Sequence, residues 1–339
     1  MIKKLLSNKL WLSSILISIA LIFVLEGTIF YGYSTITRKQ NLAVTSFIVP
    51  EGASVRWAID EMVKRHWIAQ GFFLKAYVHF YPELQLIKAG EYEFSGRYSP
   101  LDILVQLRAG QSIKRHSVQL TEGMTVAEFK KILWVQDQLI PSLKENTDAQ
   151  ILEKLAIPET HLEGLFFPDT YFYSGNTTDA DLLKRAYYRM QQMLAEAWSQ
   201  RAPNLPYATP YQALILASIV EKEAKLPKEQ PIIAGVFLRR LAKGMRLQTD
   251  PTVIYGLGSE FHGNLTRAHL LSDTPYNTYT RAGLPPTPIA APGRSAIHAV
   301  LHPALGTALY FVAKGDGSHY FSTTLSEHEQ AVRKYQLGQ

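Results

Sequence analysis

Lysines at positions 3, 4 and 9 precede a run from Leu10 to Leu25 that carries no charge. Past Glu26 the apolar character resumes through Ile29, Phe30, Tyr31 and Tyr33, and Arg38-Lys39 close it. A helix needs roughly 20 apolar residues to cross a bilayer core, and Leu10–Tyr33 supplies them with one acid near its far end. Trp11 at one edge and Tyr31/Tyr33 at the other stand where interfacial anchors belong. A cleavable signal peptide would need a shorter apolar core and a small-x-small site, and no convincing one follows. The pattern predicts a cytoplasmic N-terminus over 1–9 and an uncleaved span over 10–33. In a bacterial cell it places the long remainder outside the inner membrane. Arg38-Lys39 narrow the charge asymmetry, but long domains translocate largely regardless of charge.

The body opens with a pattern that recurs. Phe47-Ile-Val-Pro-Glu51-Gly52 leads into apolar positions at Ile59, Met62 and Val63, and Val118-Gln-Leu-Thr-Glu122-Gly123 leads into Phe129, Ile132 and Leu133. Each predicts a strand, a Glu-Gly turn, a Ser or Thr cap and an amphipathic helix. Between them lie an aromatic helix (Phe72–Tyr81), a strand at Gly90–Phe94 and a helix begun by Ser99-Pro100. Residues ~45–120 thus form a small α+β module.

Beyond it the pattern turns mainly helical. Five aromatics crowd Leu165–Tyr173 around a Pro-Asp turn, as a buried strand or as a sugar-stacking platform. Asp179 is positioned to cap a long helix through Trp198. Thr209, Pro210 and Gln212 give a strong helix start, and Pro227 limits its end. From Ala213 to Val220 this helix is apolar on nearly every side except Ser218, which places it inside a domain. The final stretch alternates as two strands, Leu309–Ala313 and His319–Ser322, around Lys314–Gly317.

Composition narrows the chemistry. The chain has 339 residues, enough for two medium domains, with 47% hydrophobic and 19% charged residues. A net charge of +6 without a long basic run argues against nucleic acid as a partner. The absence of cysteine excludes disulfides, thiolate nucleophiles and Cys-based metal sites. No Ser-x-x-Lys, G-x-S-x-G, P-loop or G-x-G-x-x-G signature is present. His298 and His302 have helical spacing for a metal, but no glutamate follows the first and Pro303 ends the helix. No metal or cofactor is expected.

What remains is a pair of carboxylates at the end of the buried helix. Glu223 follows Ile219 and Val220 by four and three residues, continuing the bulkiest apolar stripe, while Glu221 continues a face of smaller residues. Apolar surroundings and the negative end of a helix both favour the protonated form that a general acid requires. The residues alone leave a second reading open, in which one or both glutamates pair with Lys222, Lys225, Arg239 or Arg240.

The blocks Leu216-Ala-Ser-Ile-Val-Glu-Lys-Glu-Ala224, Gly244–Gly256, Tyr276–Thr280 with Gly283-Leu-Pro-Pro286, Tyr310–Ala313 with His319–Ser322, and Glu163–Tyr171 closely resemble the YceG-like family of endolytic murein transglycosylases. The resemblance covers essentially the whole chain. It implies an α+β fold: an N-terminal transmembrane helix, a LysM-like glycan-binding module over 45–120 and a mixed α/β catalytic domain over 121–339. It also implies cleavage of peptidoglycan between N-acetylmuramic acid and N-acetylglucosamine without water, with Glu223 as catalytic acid. Glu221, Gln248, Asp250, Asn277 and Tyr279 are expected to support the site or hold sugars. The implied partners are glycan strands, the inner membrane and cell-wall synthases. Competing readings are a membrane-tethered glycan-binding scaffold without activity and an ordinary hydrolase.

Overall fold

The computed structural model describes residues 2–110, 116–175 and 177–338. The chain forms two compact units, Met1–His116 with Ser174–Asn176, and Ser117–Tyr173 with Thr177–Gln339.

The first unit begins with helix α1 (Ile2–Thr37), within which Ile15–Thr37 is long and apolar enough to cross a membrane. The helix outlasts Tyr33 because its terminal hydroxyls return to its own carbonyls: Thr35 Oγ1 donates to Gly32 O at 2.7 Å and Thr37 Oγ1 to Tyr33 O at 2.8 Å. Strand β1 (Gln40–Val49) pairs antiparallel with β2 (Gly90–Tyr98), Phe47 lying opposite Tyr92. Helices α2 (Val55–Lys64), α3 (Phe72–Phe80) and α4 (Pro100–Ala109) complete the unit. Ser54 caps α2, and Ser99 and Asp102 form a reciprocal capping box on α4, which ends at left-handed Gly110. Phe47, Ile59, Met62, Tyr92, Phe94 and Leu104 fill the core, all fully buried.

The second unit contains β3 (His116–Gln119), α5 (Val126–Leu133), α6 (Asp148–Leu155), β4 (Thr170–Tyr173), α7 (Asp179–Ser199) and α8 (Pro210–Glu223). It continues through α9 (Gln230–Ala242), α10 (Asp250–Leu257), α11 (Arg267–Leu271), α12 (Arg294–Leu301), β5 (Tyr310–Ala313), β6 (His319–Ser322) and α13 (Leu325–Gln336). β3 pairs with β4, and β5 with β6 antiparallel. The two Glu-Gly stretches adopt the same local geometry: Gly52 and Gly123 have φ of +73° and +77°, and Ser54 and Thr125 cap the helices that follow.

Helix α8 runs through the middle of this unit, packed by α7, α9, α10 and α12. Every residue from Ala213 to Val220 is buried. Fully burying each Leu, Ile or Val among them contributes about 1.5–3 kcal/mol. Ser218, the polar residue in that run, is satisfied: it donates to Ile215 O at 2.7 Å and accepts from Ile289 N–H at 3.0 Å. The start signal operates slightly differently from its sequence reading. Thr209 accepts from Gln212 N–H, but the Gln212 side chain reaches past the cap to Ala208 N–H at 2.7 Å.

A second local expectation needs correcting. The cap of α7 is Thr178, boxed with Asp181, and not Asp179. Asp179 is fully buried and its carboxylate instead accepts from Ser142 N–H, Leu143 N–H and Trp134 Nε1–H, tying the 134–143 segment to the start of α7. The aromatic stretch is core: Leu165, Phe166, Phe167, Tyr171 and Tyr173 are buried, and Phe172 is exposed.

Candidate active site

Glu223 is the last residue of α8. The helix stops there because Ala224 is extended (φ −92°, ψ 100°), in keeping with the proline three residues on. The residue is half-buried and lines a cleft of about 540 Å³. Burial pushes its pKa up and the neighbouring Asp250 charge adds to this, while a hydrogen bond from Thr249 opposes it. Thr249 occupies the N-cap position of α10 yet does not cap it; its hydroxyl donates to Glu223 Oε1. Thr249 is held from behind by Thr278, whose Oγ1 accepts its N–H at 3.1 Å and lies 2.9 Å from Thr252 Oγ1.

The cleft walls come from distant parts of the chain. Gln248 and Asp250 flank Thr249 on one side, with Gln248 in the left-handed region at φ +49°. Tyr279 donates its hydroxyl to Asp250 Oδ1 at 2.6 Å, and burial together with that carboxylate pushes the phenol up. Strands β5 and β6 and helix α13 complete the lining, including Tyr310, His319 and His328.

Two expected residues stand elsewhere. Asn277 does not line the cleft: it is buried, its amide donates to Leu270 O and Ser272 O, and its Oδ1 accepts from Tyr279 N–H at 2.8 Å. Its polar atoms therefore shape the loop that carries Tyr279. Glu221 also lies off the cleft lining, accepting from Gly293 N–H at 2.9 Å, and burial with the nearby Glu122 charge raises its pKa. The alternative in which these glutamates pair with Lys222, Lys225, Arg239 or Arg240 finds no ion pair among the described residues, and Arg239 donates to Ala308 O. Lys222 donates to Gly123 O at 3.1 Å, and Arg240 is directed to the carbonyls of Leu309 and Leu247.

Three contributors escaped the sequence reading. Glu229, buried at the start of α9, accepts both the backbone N–H of His319 and its Nδ1, the latter at 2.7 Å, and so fixes that ring in the cleft wall. Arg240 lies under the ring of Tyr310 at 5.2 Å. Glu163 is buried between α5 and α10, accepting from Val126 N–H at 3.1 Å and from the Tyr255 hydroxyl at 3.1 Å; burial pushes its pKa up to about 7. The groups that Glu229 and Glu163 serve lie 90 and 37 residues away in sequence, so spacing carries no signal for them. Among the described residues no cluster of His, Asp or Glu is arranged to hold a metal ion.

The model of the YceG-like family matches residues 47–334. The chain belongs to the YceG-like family. A Bacillus subtilis (strain 168) protein named endolytic murein transglycosylase is 31% identical over 332 residues, covering 92% of this chain and 91% of that protein. One of that name from Streptococcus pneumoniae (serotype 2, strain D39) is 28% identical over 321 residues, covering 85% of this chain and 57% of its own length. A YceG-like protein of Listeria monocytogenes, known from a 2.6 Å crystal structure, superposes with a TM-score of 0.53 at 28% identity, over 86% of this chain and all of that one. The YceG-like fold is therefore present here with its mixed α+β character.

Proposed function

We propose that this YceG-like chain is a membrane-anchored lytic transglycosylase that cuts peptidoglycan strands within their length. In this reading α1 spans the inner membrane, the module over 45–120 is LysM-like and binds glycan, and residues 121–339 carry out the reaction outside the cytoplasm. Glycan strands are the substrate, and cell-wall synthases are the partners proposed for it. The single observation that carries the chemistry is the placement of Glu223: a carboxyl whose protonated form is favoured, lining a cleft of about 540 Å³.

Glu223 protonates the oxygen bridging N-acetylmuramic acid to N-acetylglucosamine, and the bond to the muramoyl C1 breaks. The resulting carboxylate then takes the proton of the muramoyl C6 hydroxyl as that oxygen closes on C1, giving a 1,6-anhydro ring and regenerating the acid. One carboxyl acts twice, so the second carboxylate of a hydrolase is not required. Asp250, engaged by Tyr279, sets the shape of the wall beside it. Gln248, Asp250 and Tyr279 are the groups proposed to hold sugars.

The test is product mass. Wild-type protein acting on isolated sacculi should release fragments one water lighter than hydrolysed ones, and Glu223→Gln should release none. General acid–base catalysis contributes about 10²–10⁴-fold, so a variant keeping more than about a tenth of wild-type turnover sinks the assignment. Fragments of hydrolysed mass would make the protein a hydrolase, and no fragments from wild type would leave it a scaffold.

A further inference from the structure

The end of α1 is not a free tether. Gly32 and Ile36, four residues apart on one helix face, are buried against the first unit. At Gly32 the fit is close enough that a Cβ would come within 2.5 Å of the Phe73 ring. Tyr31 adds an edge-to-face contact with Phe73, centroids 5.8 Å apart, and Phe73 in turn meets Phe72 edge-to-face at 5.4 Å. Phe72 is 69% exposed. A continuous aromatic ladder thus leads from inside the apolar span to an uncovered ring on the module.

The rise of the helix fixes how deep that ladder lies. Six residues separate Gly32 from Arg38, the first charge after the span, and six steps of 1.5 Å amount to about 9 Å. The headgroup zone of one leaflet is roughly 5–7 Å thick, half the difference between the whole bilayer and its hydrocarbon core. With Arg38 at the outer edge of the headgroups, Gly32 and its Phe73 contact lie at the boundary with the acyl chains. Phe72, packed on Phe73, cannot be far above them. The charges nearest it are balanced within the unit, Lys64 and Arg65 pairing with Glu61 and Lys75 with Asp60, so the rings and their depth are what favour lipid there.

We propose that the Phe72 end of α3 is a lipid-docking surface, seated in the headgroup–acyl boundary of the outer leaflet beside α1. This rests on the reading of α1 as a membrane span, and it adds that the module is held on the bilayer by its own side chain. Aromatic rings are favoured at that depth.

The cysteine-free chain makes the experiment direct. Full-length protein carrying Phe72→Cys, and separately Leu21→Cys, is labelled with a nitroxide and placed in vesicles of phosphatidylethanolamine and phosphatidylglycerol. Collision rates with oxygen, which concentrates in lipid, and with a water-soluble nickel chelate are then compared. The expected result is an oxygen-favoured ratio at position 72, approaching that at 21 and well above that of the label free in buffer. A lipid-like ratio at 21 with a water-like ratio at 72 would overturn the docking surface and leave the anchor standing. A water-like ratio at both would remove the anchor, and the docking surface with it. Phe72 is exposed, so its replacement leaves the core of the unit intact.

Discussion

Thr249 directs its hydroxyl to Glu223 instead of to the helix it precedes, and that choice sets a measurable pH response. A donor to a carboxylate favours the ionised form, so the hydrogen bond holds the Glu223 pKa below where burial alone would put it. A general acid is lost as pH rises through its pKa. Thr249→Val removes the donor at similar volume, and the alkaline limb of kcat/KM should move to higher pH, as read from the pH profile of anhydro-product release. An unmoved limb, or one moved downward, would show that Glu223 is not the titrating acid. Glu221 makes a different contribution, accepting the Gly293 N–H away from the cleft lining. Glu221→Gln should therefore keep more activity than Glu223→Gln in the same sacculus assay.

Between elements, Glu163 joins the first N–H of α5 to a tyrosine of α10, the helix that begins beside Glu223. A carboxyl raised to about 7 in the fold and near its ordinary value of 4.5 when unfolded binds more protons folded than unfolded across that window. Stability must then fall as pH rises from about 4.5 to about 7, by roughly 3 kcal/mol in all from this group. Glu163→Gln can still accept from Val126 N–H while carrying no charge, so its thermal midpoint between pH 5 and 7 should be flatter than that of wild type. The same elements show how far sequence reaches. Helix α8 was legible because its signals are local: a Thr-Pro start, an unbroken apolar run and a proline stop. The Ser and Thr caps at 54, 99 and 125 were legible for the same reason, and the slip at Asp179 shows the limit: a buried acid one residue past the cap looks like a cap until its partners at 142 and 143 are known. Asn277 looked like a sugar ligand because polarity is visible in a sequence and burial is not. Glu229 left no trace, since its partner His319 lies 90 residues away.

For the whole molecule, the span within α1 sets the topology to be tested: a reporter fused after residue 339 should be active only outside the cytoplasm, and recovery of a soluble mature form lacking residues 1–33 would contradict the anchor. The walls of the cleft carry a further consequence. The lining includes Glu223, Gln248 and Asp250 together with residues of β6 and α13, which lie roughly a hundred positions after Glu223 in the chain. A polypeptide is made, and crosses a membrane, from its N-terminus onward. If Glu223 is the acid proposed above, it emerges from the ribosome before the residues that complete its cleft, and a chain in transit on that reading carries its acid ahead of the walls that would hold a sugar.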